Sequence, residues 1–306
     1  MTSGDATLAP GVPDRAEKSR SLGADAWREL RTNPLFVISC VIILIIVVMM
    51  AFPGLFTSVD PNLGDLSKAR QSPGGDAWFG YDTQGRDIFS RVIYGARASM
   101  LVGIGATVVQ VVVGVLLGVL GGFFGRWVDV IISRIGDIFF GLPFMLGAIV
   151  VLTTLNPPQS SPGQVAIILQ VVLSIAVLSW PISMRLMRSA TLTAKQQDYV
   201  KAARSLGAST PRIIFRHLLP NSIAPVMVYA TIALGANIGA EATLSYLGVG
   251  LRPPVVSWGV MVSDAATYFE TSPHMLLIPA GFVTFTVLGF VMLGDAVRDA
   301  MDPKSR

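Results

Sequence analysis

The few side chains in this sequence that are placed to do chemistry sit mostly inside apolar stretches. Arg134 and Asp137 are three residues apart and share one face of any helix that carries them. That spacing suits either an ion pair buried in a bundle or a polar lining for a path through one. Glu241 interrupts another apolar stretch about 20 residues past its start, roughly 30 Å along at 1.5 Å per residue. It is therefore expected near the far surface, as part of a gate or receptor-contact region or as a cap of the adjoining loop. Gln110, Gln170 and Asn237 are lone amides suited to interhelical hydrogen bonds, and Asn237 is also a candidate for the path. An ion-coupled carrier needs intramembrane carboxylates or broken helices at matched positions in two halves. Asp137 and Glu241 are the only candidates, and they do not form a repeat.

Other chemistries are excluded more firmly. The sequence has one cysteine, Cys40, inside an apolar run, and two histidines, His217 and His274. A single Cys rules out an intrachain disulfide framework and a Cys-based zinc site, and two His do not make a His-rich metal site. There is no Gly-x-x-x-x-Gly-Lys-Ser/Thr loop, no Gly-x-Ser-x-Gly, no His-Glu-x-x-His and no Asp-rich calcium loop. The chain is thus expected not to be an enzyme, to have no catalytic residue, metal or cofactor of its own, and to draw the energy for any transport from another subunit.

The elements that must position these residues follow from composition. Of 306 residues, 52% are hydrophobic and 14% charged, with mean hydropathy +0.62. A soluble domain is about 25% charged, so the class is an all-α polytopic membrane protein. Six stretches are long enough to span, at about 20 apolar residues each: 35–56 (a retained anchor rather than a cleaved signal), 98–124, 128–155, 165–182, 221–246 and 275–293. Gly114, Gly118 and Gly122, like Gly235 and Gly239, form small-x-x-x-small steps that let helices approach closely, within the chain or against a partner. The segment between spans four and five carries Arg185, Arg188, Lys195, Lys201, Arg204, Arg212 and Arg216 against Asp198 alone, whereas 156–164 carries no charge. The positive-inside rule then puts that segment and both termini in the cytoplasm. The expected organisation is a cytoplasmic, partly disordered tail (1–34), a first span with its extracytoplasmic loop (35–97), a five-helix core (98–294) and a cytoplasmic C-terminal tail (295–306).

The most informative stretch is 198–220. It reads as two short helices, the first ending near Gly207, a left-handed C-cap position. Thr210 is expected to cap the second, with Pro211 at its first helical position and Pro220 closing it. The second helix sets Ile213, Ile214, Leu218 and Leu219 beside Arg212, Arg216 and His217. That composition suits an interfacial helix on anionic lipid or a docking element for a cytoplasmic partner. The loop 247–273, with Pro253, Pro254 and Trp258, is too long for a tight connection. It is expected to fold as a re-entrant scoop facing outward, with Trp258 in a receptor contact or as an interfacial anchor.

The 198–220 segment resembles the EAA loop of ABC-importer permeases: Ala202, Ala203, Gly207, Leu219 and Pro220 fit its spacing, while Lys201 stands for its Glu and His217 for its Ile. The stretches 78–97, 241–259 and 293–303 resemble the entry to the second span, the loop after the fifth span and the C-terminus of DppC/OppC permeases of the dipeptide/oligopeptide (peptide/nickel) branch. The resemblance implies a type I importer fold and a permease subunit forming half of a translocation path for di- or oligopeptides in the bacterial inner membrane, with nickel chelates, haem or oligosaccharides as alternative cargoes and a self-contained secondary carrier as the rival reading. It implies a second, homologous DppB-like permease subunit, two ATP-binding subunits holding ATP and Mg, and an extracytoplasmic peptide-binding protein, with lipid around and no nucleic acid. Within it, Asp198, Tyr199, Lys201, Ala202, Ala203, Gly207, Ala208, Arg212, Arg216, His217 and Pro220 are the expected ATPase-coupling residues. Arg134, Asp137, Asn237 and Glu241 are the expected path or gate residues, and Pro253, Pro254 and Trp258 the outer-loop contacts.

Overall fold

Where an apolar run begins with a side chain able to cap it, a helix starts. Asn33 accepts a hydrogen bond from the Leu35 N–H (2.9 Å) and Pro34 takes the first helical position, so α1 runs Pro34–Ala51. A computed structural model describes residues 30–75, 77–155 and 162–301. The expected tail over 1–29, residues 156–161 of the uncharged loop and the C-terminal 302–306 lie outside the described residues. Helix α1 is apolar all round, and Leu35, Ile38, Val41, Leu44 and Ile45 on it stay exposed, the surface a helix shows to lipid chains.

Helix α2, Ile88–Phe124, begins ten residues before the expected Ala98 because Asp87 caps it, accepting from the Ser90 N–H (2.8 Å). At 37 residues it is about 55 Å long, well over the ~30 Å hydrocarbon thickness. Arg97 lies within this helix: its guanidinium donates to the Met50 and Ala51 carbonyls at the end of α1 (2.8 and 3.2 Å). Those are acceptors that a helix C-terminus otherwise leaves free.

The expected third span, 128–155, is broken. Helices α3, Arg126–Gly141, and α4, Phe144–Leu155, meet at 94°. Pro143 disfavours helical backbone at Leu142, which is extended (φ −81°, ψ 129°). Helix α5, Gln164–Ala194, continues past the expected end at Ile182 despite Pro181 in its interior. Arg185 and Arg188, counted as loop residues from the sequence, are therefore helical. Two short helices follow, α6 (Asp198–Ser205) and α7 (residues 210–222), then α8 (Ala224–Tyr246), α9 (Trp258–Ala265) and α10 (His274–Met301).

The centre of the bundle is the pairing of α2 with α5. Gly114, Gly118 and Gly122 face Ser183, Met184, Met187 and Thr191, so the small-residue ridge packs within the chain. Gly235 on α8 likewise meets Val287 and Phe290 on α10. Helix α2 ends beside Lys195, whereas α5 begins at Gln164 beside Pro253–Val256, at the opposite end of the bundle. The chain must cross between them, and the bent α3–α4 pair makes that crossing, the sixth among the described residues. The N-terminal end of α1 and the C-terminal end of α10 share the end that carries the basic segment.

A Cβ on Gly118 would lie 2.6 Å from the Met184 carbonyl oxygen and 2.9 Å from the Arg188 nitrogen, backbone atoms with little room to yield. Gly118→Val is expected to cost about 1–3 kcal/mol. Thermal unfolding in detergent checks this, with Gly141→Ala, where nothing lies within 4 Å, as the neutral control.

Candidate functional site

The basic segment forms a compact hairpin of helices at one end of the bundle. Helix α6 ends in a Schellman turn: the Gly207 N–H donates to Arg204 O and the Ala208 N–H to Ala203 O, both at 3.0 Å, with Gly207 at φ +77°. Nothing lies within 4 Å of a Cβ built on Gly207, so glycine is required there by its backbone and not by crowding. Helix α7 departs from the expected pattern. Ser209, not Thr210, holds the N-cap position, and it makes no side-chain capping bond; Pro211 is second in the helix. Pro220 does not close it. Proline offers no N–H to the Arg216 carbonyl, and residues Ile213–Leu218 widen into a π-turn in which the Leu219 N–H reaches Ile214 O. The helix then continues through Leu219–Ser222.

One side of the hairpin is fixed. Val200, Ala203, Ile213 and Leu218 are buried against Val119 and Phe123 of α2, Met187 and Ala194 of α5, and Val226 of α8. The other side is open: Asp198, Tyr199, Lys201, Ala202, Arg212, Arg216 and Pro220 are exposed, Ala208 and His217 are half-buried, and Ala203 alone of the expected coupling set is buried. Lys201 pairs with Asp198 (3.1 Å), both in solvent. Two apolar residues the sequence reading did not single out stand furthest out, Leu206 at 87% and Phe215 at 66% exposed.

Next to the hairpin is a junction of three helices. The Lys195 ammonium donates to Phe123 O, near the end of α2. Gly125 (φ +65°) and Arg126 (φ +49°) then turn the chain sharply into α3. Arg188 on α5 holds Asp129 of α3 through two hydrogen bonds (2.5 and 2.6 Å). Asp137 takes Arg185 at 2.9 Å in preference to the expected Arg134, which stands at 3.7 Å and 80% exposed. The Arg134–Asp137 pair is thus not buried; α5 supplies the stronger partner. Reading α5 only to Ile182 hid both arginines.

Asn237 lies between α8 and α2, buried, donating to Thr107 Oγ1 (2.9 Å). Gln170 donates to Leu155 O (3.3 Å). Glu241 is not at a surface. It is fully buried, accepting from Ser245 (2.8 Å) and Ser257 (3.2 Å), with the Ser99 hydroxyl facing the same carboxyl. Ser245 Oγ in turn accepts from the Leu251 N–H (2.9 Å). The cluster therefore ties α2, α8 and the 247–257 loop together. Trp258 is also buried, its indole donating to Val92 O (2.9 Å) and packing beside Phe282. It anchors the loop inward, away from any surface contact.

Pro253 and Pro254, joined by a cis peptide, remain exposed. They border a cavity of about 480 Å³ with Asn62, Arg86, Gln164 and Tyr268. Arg86 and Arg91 of its wall bind Asp82 (2.6 and 3.4 Å), and Arg86 reaches Asp264, also on the wall (4.0 Å). Partial burial raises the Asp264 pKa above the usual carboxylate range, opposed by Arg91 and Arg86.

Glu241→Ala is expected to cost about 2–4 kcal/mol, combining a cavity with stranded hydroxyls. Glu241→Gln, which keeps an acceptor oxygen, should cost far less. Limited proteolysis of the 247–257 loop together with thermal unfolding reads the difference.

Residues 114–306 match the family described as "Binding-protein-dependent transport system inner membrane component", and residues 21–73 match "N-terminal TM domain of oligopeptide transport permease C". The chain is 37% identical over 282 residues to the dipeptide transport system permease protein DppC of Alkalihalophilus pseudofirmus, covering 92% of this chain and 90% of that one. It is 37% identical over 291 residues to the oligopeptide transport system permease protein OppC of Bacillus subtilis (95% and 92%). It is 35% identical to the glutathione transport system permease protein GsiD of Escherichia coli O157:H7 (95% and 93%). Its fold resembles that of the inward-facing MetNI methionine ABC transporter, with TM-score 0.54 at 20% identity over 68% of this chain and 95% of that one.

Proposed function

Because this chain belongs to the binding-protein-dependent transport system inner membrane component family, we propose that it forms half of the path by which di- or oligopeptides enter a bacterial cell. It is a permease subunit of an ABC importer and an integral membrane protein of the inner membrane. Dipeptides, oligopeptides and glutathione in the names of its relatives support a peptide cargo. In this reading the basic end faces the cytoplasm with both termini. A second, unlike permease subunit completes the path, two ATPases carrying ATP and Mg dock below, and a peptide-binding protein approaches the opposite end, where Pro253 and Pro254 are exposed.

One observation carries the coupling assignment. The α6–α7 hairpin is buried along one side against α2, α5 and α8 and open on the other, where Leu206 and Phe215 project. A helix pair that only rested on lipid would point its apolar residues toward the membrane. Here Ile213 and Leu218 already face the bundle, which leaves Leu206 and Phe215 for a protein surface beyond it. Closure of the ATPases on ATP then shifts the hairpin, and with it the helices against which its back is packed. The amphipathic α3, with Trp127, Ile131 and Ile138 exposed beside Asp137, suits the second permease subunit better than lipid chains.

Leu206→Asp and Phe215→Asp remove no buried contact, so membrane insertion should persist while ATP-driven uptake of labelled peptide and binding-protein-stimulated ATP hydrolysis both collapse. Gly207→Val should weaken uptake through backbone strain of about 1–2 kcal/mol. Unchanged uptake in the two Asp variants would remove the hairpin from coupling. Uptake by the chain alone, without ATPases, would refute the importer architecture itself.

A further inference from the structure

The two ion pairs between α3 and α5 are not accounted for by the coupling hairpin, and they lie where its motion must pass. Helix α5 leads directly into the hairpin: Ala194 ends it and Asp198 begins α6. Helix α3 is joined to its neighbours by two breaks. One is at Gly125 and Arg126, both at positive φ, and the other is at Leu142–Pro143, where α4 departs at 94°. A segment with a break at each end does not transmit motion along its backbone as a continuous helix does. It follows a neighbour only through side-chain contacts.

Gly136 faces Met184 and Phe139 packs on Trp180 without fixing register; the polar contacts are specific. Arg188 grips Asp129 with both a terminal nitrogen and Nε, the two-pronged geometry that fixes direction as well as distance. Three residues earlier on the same face of α5, Arg185 holds Asp137 at 2.9 Å and stacks over Phe140, 4.1 Å from its ring centre. Asp129 and Asp137 are eight residues apart, so they too share one face of α3. Each end of α3 is therefore clipped to the part of α5 next to the hairpin. Lys195, bound to Phe123 O, holds the end of α2 at the same junction.

We propose that Asp129, Asp137, Arg185 and Arg188 are positioning residues for transport, a double clip that makes the broken span follow α5 when the hairpin moves. The inference rests on the importer reading above. Without the clip, the ATPases still close and the hairpin still shifts, but α3 and α4 lag, and hydrolysis proceeds without a matching change of access.

The test uses the assembled complex, with its second permease, ATPases and binding protein, in proteoliposomes supplied with a radiolabelled mixture of short peptides. Peptide taken up per phosphate released is measured. Asp129→Asn and Asp137→Asn are expected to lower that ratio by about fivefold or more, and Arg188→Lys, which keeps charge but loses the fork, by less. The charge swap Asp129→Arg with Arg188→Asp should recover most of it, a rescue that lost packing alone does not give. Asp137 is half exposed, so its variant reports even if Asp129→Asn fails to assemble. An unchanged ratio in Asp137→Asn, or no recovery in an assembled charge swap, overturns the clip. A wild-type complex that takes up no peptide with ATP overturns the importer reading instead.

Discussion

The contact of α2 with α5 is set by three glycines spaced four residues apart, and much of the remaining structure hangs on it. With hydrogen at Gly114, Gly118 and Gly122, the two backbones approach within reach of dispersion and weak Cα–H contacts. In lipid there is little hydrophobic gain in pressing apolar helices together, so small residues decide where they meet. That one pairing fixes the heights of other parts. It sets Arg188 opposite Asp129, brings Lys195 to the end of α2, and sets Val119 and Phe123 beneath the α6–α7 hairpin.

Charge is used sparingly and locally. A buried ionisable or polar group is costly unless partnered, and the structure answers this in three ways. Arg91, buried at the end where α2 rises beyond α1, is held by Asp82 and the Pro61 carbonyl. Glu241 is surrounded by hydroxyls rather than by a cation, and it closes the loop that follows α8. Asp129 and Asp137 take their partners from α5. The Asp129 and Asp137 contacts join elements 59 and 48 residues apart in sequence, where apolar packing alone would allow sliding.

The hairpin shows how a defined surface element is made from short helices. Eight residues are too few for a stable isolated helix, so α6 depends on its buried Val200 and Ala203 and on the Gly207 turn. Pro220 has a second effect: it offers no N–H to the Arg216 carbonyl, and the would-be helix end becomes a π-turn that runs on through Leu219–Ser222, one residue short of α8. The tip bearing Leu206 is thereby connected to the bundle on two sides.

Much of this was legible in the residues themselves. Apolar length located the spans, Lys/Arg bias marked the basic end, Gly207 marked a left-handed turn, and the Ala202, Ala203, Gly207, Leu219, Pro220 spacing pointed to the family, because each depends on local sequence alone. Helix ends were less legible. Arg97 and Arg185 look like boundaries in a hydropathy profile, yet both lie inside helices whose polar ends find partners on other elements. The break at Leu142 rests on one proline, whose effect depends on what receives the chain beyond it. What local sequence determined was the class, the crossings, the Gly207 turn and the family spacing. That Arg185 and Arg188 take Asp137 and Asp129, and that Trp258 turns inward to Val92, were decided only by the tertiary packing, since those partners lie 48 to 166 residues apart.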